Sequence, residues 1–340
     1  DIFTITVTTA ASSTVASGGG TSISIECQIN PGLAITTAGY GWGTGGWGIS
    51  SWGLSSNTPI FLPQRDWFFD NFDNDLVMNI RSEVNASGKA QGGPIYYWER
   101  GSNVAPGSAL ATRAVLLSGV TLNGVAPSAV PTSAMQIMIS QNDKHLLAFG
   151  CQPYAGAADD YDPLLIRWSS QDQPNEWEPR QTNSAGFLRV SRGSAIVRAI
   201  ATRQETIVLT DTHVYSLQFL GTTDVFGLQE LADNTSIISS RATVTANNVL
   251  YWMGTDKFYA YDGRVQTLPC TLREYVFKDI NFDQSDQIVC GTNEGFTEIW
   301  WFYPSAGSNS NDRYVIYNHL TNIWYYGNLE RTAWLDVASR

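Results

Sequence analysis

Six aspartates fall in two short runs, Asp70-Asn71-Phe72-Asp73-Asn74-Asp75 and Asp159-Asp160-Tyr161-Asp162. Two carboxylates facing each other across a cleft, one acid and one base or nucleophile, hydrolyse glycosidic bonds. Spacing alone does not say which two would converge. The arginines that a sialidase would gather around a substrate carboxylate are scattered along this chain. Neither run has the ligand spacing of an EF-hand loop, so solvated acidic turns are the expected reading. His145, His213 and His319 have no ligand partners nearby in sequence, and each reads as a strand or turn residue. Cys27, Cys151, Cys270 and Cys290 lie far apart without a C-x-x-C pair, which argues against zinc. They read as buried free thiols; pairing of Cys270 with Cys290 is left open. A phosphate-cradling G-x-x-x-x-G-K-[ST] loop is absent from the sequence. The sequence thus offers no catalytic, cofactor-binding or metal-binding residue, and the expectation is a protein that is not an enzyme and needs no cofactor.

The elements that would carry these residues read as strands. The chain has 340 residues, of which 43% are hydrophobic, enough for a substantial core. Charged residues make up only 15%, below the usual quarter, which fits a β protein with much of its surface against other subunits. The net charge of -11 makes the chain a poor general DNA binder and suits a surface that DNA passes without sticking. The sequence has no run of about 18 apolar residues, so no membrane span is implied. The chain starts at Asp1 in a strand-like run, which suggests part of a longer product.

Alternating runs at Ile2 to Thr8 and Ser22 to Ile29 predict a hairpin with a long Ser/Gly loop. Trp42, Trp47 and Trp52 follow, each before a glycine, at a spacing that fits neither helix nor strand. This reads as a linker anchored by tryptophans. Residues 1–57 are therefore expected to form an N-terminal β-hairpin and Trp-Gly-rich linker, and residues 58–340 a β-propeller domain.

Beyond Thr58 the chain alternates strand, turn, strand. Five units are expected, at Trp67 to Trp98, His145 to Trp177, Glu205 to Phe219, Asn248 to Gly263 and Gly295 to Asp336. The last holds the strands EIWWFY, RYVIY and IWYYG. The units recur irregularly, roughly every 40 to 70 residues, near the period of about 40–50 residues of propeller blades. A connector from Ser102 to Pro131 looks poor in strands, with room for a short strand or a helix. Thr271 to Phe277 is open between a helical turn and a strand. Trp177 and Trp324 each follow a strand and a turn, and each is expected to open the next strand. Ser170 to Trp177 resembles the Asp-box turn of sialidase-type propellers, with Pro174 in place of the usual glycine; that motif is structural.

The phrases WFFDNFDNDLVMNI, GGPIYYWER, LLIRWSSQDQPNEW, KFYAYDGRVQTLP and EIWWFYPSAGSNSNDRYVIYN resemble the tail nozzle proteins of short-tailed bacteriophages, also described as tail tubular or packaged-DNA-stabilising proteins. The resemblance implies a propeller-based virion protein without catalytic residues. It implies self-association into a ring, typically a hexamer, below the portal and adaptor rings of the phage tail. Tail fibres or spikes would be neighbours, and packaged DNA would touch it only through the channel lumen. The ring would retain the genome and let it pass during ejection. The alternative is a carbohydrate-binding or glycan-degrading propeller of a phage tail.

Overall fold

The computed structural model describes residues 66–81, 83–84, 90–99, 114–157, 160–203, 205–222 and 224–335. The expected hairpin and Trp-Gly linker of residues 1–57 lie outside them. Five four-stranded antiparallel sheets dominate, each made from one consecutive stretch of chain. Sheet I contains β1 (Trp67–Phe72), β2 (Asp75–Ile80), β5 (Ile95–Trp98) and β6 (Val115–Leu116), with a small ribbon of β3 (Glu83–Val84) and β4 (Ala90–Gln91) beside it in sequence. Sheet II runs β7 (Ala134–Ser140), β8 (His145–Cys151), β9 (Asp162–Trp168) and β10 (Gly186–Arg189). Sheet III runs β11 (Ile196–Ala201), β12 (Thr206–Thr210), β13 (Val214–Phe219) and β14 (Phe226–Ala232). Sheet IV comprises β15 (Thr243–Ala246), β16 (Val249–Met253), β17 (Phe258–Tyr261) and β18 (Val265–Leu268). Sheet V comprises β19 (Val289–Asn293), β20 (Glu298–Tyr303), β21 (Arg313–Asn318) and β22 (Ile323–Asn328).

The turns follow from residue type. Asn247 and Asn248 both sit in the left-handed region, at φ 48° and 65°, and join β15 to β16 in a two-residue loop. Asparagine tolerates that conformation, and two such residues give the hairpin turn whose twist matches the strands. The expected units correspond to sheets, and each sheet extends beyond the stretch read from sequence. Sheet I recruits β6 from the strand-poor connector, which also holds a 3-10 turn at Leu117–Gly119. The segment around Thr271 resolves as helix α1 (Arg273–Asp279) between sheets IV and V. Trp324 does sit in the opening of a strand, β22. Trp177 does not: it lies in the loop before β10, fully buried, with its indole N–H donating to the Pro174 carbonyl at 2.7 Å.

Packing explains why the middle strands are not visibly amphipathic. Alternate residues of one strand point to opposite faces, and here both faces are buried. On β8, Leu146 and Ala148 join a cluster with Val77 and Ile95 of sheet I, while Leu147 and Phe149 join one with Tyr215 and Leu217 of sheet III. On β16, Leu250 and Trp252 pack with Ile207 and Leu209 of sheet III, and Tyr251 and Met253 with Ile299 and Trp301 of sheet V. Each consecutive pair of sheets, I–II through IV–V, therefore shares its own hydrophobic core. Polar links reinforce the stacking. The Gln136 amide of β7 donates to the Ala199 carbonyl at 2.6 Å and accepts from the Ala199 N–H at 2.8 Å. The Glu205 carboxylate, between β11 and β12 of sheet III, accepts from Tyr261 of sheet IV and from Ser216 and Gln218.

Two outcomes follow from this packing. Trp301 has no exposed surface, and its indole N–H donates to the Ala242 carbonyl at 3.1 Å. Trp301→Ala should cost about 3–5 kcal/mol, read as a lower urea midpoint at unchanged slope. Burial raises the pKa of Glu205, but its hydrogen bonds outweigh burial and hold it below the ordinary value of 4.5. A carboxyl more acidic in the folded than in the unfolded chain adds stability above the unfolded value, and this is lost as pH falls through the folded one. Glu205→Gln should therefore flatten the fall of thermal stability below pH 4.5 relative to the parent chain.

Candidate functional site

Among the described residues, the aspartates of the two acidic runs are held by separate structural partners. Asp70 accepts from the Ile139 N–H at 3.0 Å and from Gln141 at 3.3 Å, tying sheet I to sheet II. Lys144 bridges Asp73 at 3.3 Å and Asp172 at 3.2 Å on the surface. Asp75 accepts from the Tyr97 hydroxyl. Asp160 closes a turn by accepting from the Ala157 N–H at 2.8 Å, and Asp162 pairs with Arg189 at 2.7 Å. Asp159 lies outside the described residues. The Asp-box-like stretch forms the turn after β9, with Asp172 at φ 57° and Ser170 bridged to Gln173.

His145 is buried with its Nδ1 2.8 Å from the Ser169 carbonyl oxygen, beside the rings of Phe219 and Phe226. His213 lies against Tyr215, and His319 against Tyr251. Among the described residues no group of three or more His, Cys, Asp and Glu is placed to hold a metal. Cys151, Cys270 and Cys290 are free thiols, so Cys270 and Cys290 are not paired; Cys27 is outside the described residues. Burial pushes Cys151 up to about 12, Cys270 up to about 11 and Cys290 well above the usual thiol value. None of the three is poised as a thiolate nucleophile.

The charged centre of the molecule lies elsewhere, among residues far apart in sequence. Asp66, just before β1, is buried. Its Oδ1 accepts from Nε of Arg241 at 2.6 Å and also from an Nη of the same guanidinium, and Ser240 Oγ donates to its Oδ2 at 3.3 Å. Arg81, after β2, donates from Nη1 to the Val197 carbonyl of β11 at 2.7 Å. The next residue on β11, Arg198, lays its guanidinium over the Phe68 ring at 4.8 Å. Burial lowers Arg198 to about 10; Asp66 acts to raise it, and Arg81 and Arg241 to lower it. Arg81 is likewise lowered by burial, against the pull of Asp286 and Asp66. Three guanidinium groups thus converge where sheets I, III and IV meet.

Beside this cluster is a cavity of about 310 Å³. Trp67, Phe68 and Phe69 of β1, Val289 and Cys290 of β19, Thr243 of β15, Ala333, Trp334, Arg198 and Arg241 line it. Trp334 is held there by stacking on Trp300 at 5.2 Å and by its indole N–H on the Thr292 carbonyl at 2.7 Å. Gly291 makes room for it: a Cβ at that position would lie 2.2 Å from the Trp334 ring. Sequence reading missed Asp66, Arg81, Arg198 and Arg241. The one local signal was Arg198 inside the apolar strand Ile196–Ala201, where a charge needs a buried partner.

No protein-family model matches the chain, and no curated protein sequence matches it. Among solved structures the chain is similar to Hsv2 of Kluyvelomyces marxianus, at 6% identity and a TM-score of 0.38, covering 77% of this chain and 60% of that one. It is similar to a protein of Bacteroides uniformis assigned as a 6-phosphogluconolactonase, at 8% identity and a TM-score of 0.42, covering 78% and 71%. The Synechocystis apocarotenoid oxygenase matches at 9% identity and a TM-score of 0.34, covering 77% and 59%. The chain thus spans about 60% of the length of the first and third. Likeness this weak assigns no activity.

Replacing Asp66 by Asn keeps its shape but removes the charge shared by the guanidinium groups. The change should cost about 1–3 kcal/mol in urea unfolding, because a buried charged partner is lost. The double change with Arg241→Gln should cost less than the sum of the two single changes.

Proposed function

We propose that the five sheets are blades of a β-propeller, and that the chain is a structural subunit of the tail nozzle of a short-tailed bacteriophage. The propeller reading is supported by the consecutive meanders and by the four cores that join each sheet to the next. First-strand residues of sheets I, III, IV and V gather around one cavity, as the innermost strands of blades do. In this reading the chain is not an enzyme.

The observation that carries the assembly role is the outer surface of sheet V. Ile323, Tyr325 and Tyr326 of β22, the last strand of its sheet, are about half exposed. Tyr275 of α1 lies against Tyr326, with ring centroids 4.7 Å apart, and is itself exposed. Exposed aromatic residues grouped on a free sheet edge are the kind of surface that subunit contacts cover. The occupant is a neighbouring copy, and repetition of the contact closes a ring, taken as a hexamer. Such a ring sits in the virion below the portal and adaptor rings, next to tail fibres or spikes. The acidic balance of the chain lets DNA pass along the lumen without adhering.

Native mass spectrometry and negative-stain imaging of the purified chain should reveal closed rings. Ile323→Asp combined with Tyr326→Asp should shift the population to monomer while circular dichroism stays unchanged. A parent chain that is monomeric at every concentration, and absent from tails of the purified particle, overturns the proposal.

A further inference from the structure

The cavity beside the arginine cluster has the composition of a ligand site. Sheets I–II, II–III, III–IV and IV–V meet through hydrophobic clusters. Residues of sheets V and I instead face this space, with Val289 and Cys290 from one and Trp67, Phe68 and Phe69 from the other. Two polar atoms of its lining residues, Nε of Arg198 and Oγ1 of Thr243, are buried without a hydrogen-bond partner among the described residues. Buried polar groups are nearly always satisfied, so the Arg198 guanidinium is left with unmatched hydrogen-bonding capacity beside the cavity. Arg198 is surrounded by protein yet keeps surface open to the cavity, and a desolvated guanidinium binds oxyanions strongly.

Charge and shape narrow the ligand. Arg81, Arg198 and Arg241 bring three positive charges, against Asp66 and, on the Arg81 side, Asp286. Subtracting these two carboxylates from the three guanidinium groups leaves one positive charge, which a monoanion neutralises. The remaining lining is mainly aromatic or aliphatic: Trp67, Phe68, Phe69, Val289 and Trp334. We propose that this cavity binds a small carboxylate carried on an aromatic or aliphatic body, with the guanidinium of Arg198 donating to the carboxylate and the aromatic walls covering the body. This site is independent of the assembly role, since its residues do not belong to the exposed surface of sheet V.

Trp67 and Trp334 line the cavity, so tryptophan fluorescence reads occupancy directly. Titration of the whole chain with phenylacetate should give a saturable change. Acetate, which lacks the ring, should bind about tenfold more weakly or worse, the loss expected for one unburied aromatic group. Inorganic phosphate should bind more weakly than phenylacetate. Arg198→Met should abolish saturation and Arg198→Lys should restore part of it, with circular dichroism confirming the fold. If Arg198→Met does not fold, Arg198→Lys should weaken phenylacetate several-fold against the parent chain. Absence of saturation in the parent chain overturns the proposal. So does binding that Arg198→Met leaves unchanged, or Arg198→Lys where that is the folded variant, and so does phosphate binding as tightly as phenylacetate.

Discussion

One buried carboxylate, Asp66, connects parts of the chain that local sequence cannot bring together. It accepts two hydrogen bonds from Arg241, 175 positions away, and one from Ser240. Four other sheet junctions are held by apolar area, which is strong but not directional. At the junction of sheets I and IV the contact is an ion pair, whose geometry fixes where β1 begins relative to β15. Its cost is that Arg81, Arg198 and Arg241 share one central anion, with Asp286 balancing only the Arg81 side. The electrostatics of the centre and the cavity beside it both follow from that imbalance.

The stacking of sheets depends on the same strand geometry seen from two sides. Because β8 and β16 feed one core with their odd residues and another with their even residues, neither strand can shift by one position without exchanging the contents of two cores. Register is thereby specified twice over. The outer strands lack this double constraint, and there the apolar side chains of β22 reach solvent.

Much of the architecture was legible in the residues. The strands EIWWFY and RYVIY, the hairpin of β12 and β13, and that of β16 and β17 stand where aromatic and β-branched runs bounded by turn residues place them. The first strands of sheets II–V were harder to see. β11 carries Arg198 in an apolar run, and β15 is a short Thr-Val-Thr-Ala segment that looks like a loop. The fate of Trp177 was misread because its partner is a turn carbonyl three residues back rather than a strand neighbour. The charged cluster was invisible for a plainer reason: no periodicity connects positions 66, 81, 198 and 241, and only the stacking of whole sheets makes them neighbours.

Gln136 shows how narrow the chemistry at a single junction can be. Its amide takes the place of a peptide group, giving one hydrogen and taking one from the same residue of the adjacent sheet. A carboxylate can only accept, a lysine can only donate, and asparagine is one methylene shorter. Among the amide and charged side chains, glutamine alone offers a donor and an acceptor side by side at that reach. A codon change here has no conservative outcome, so this position should drift far more slowly than the apolar residues around it, where several side chains of similar volume fill the same space.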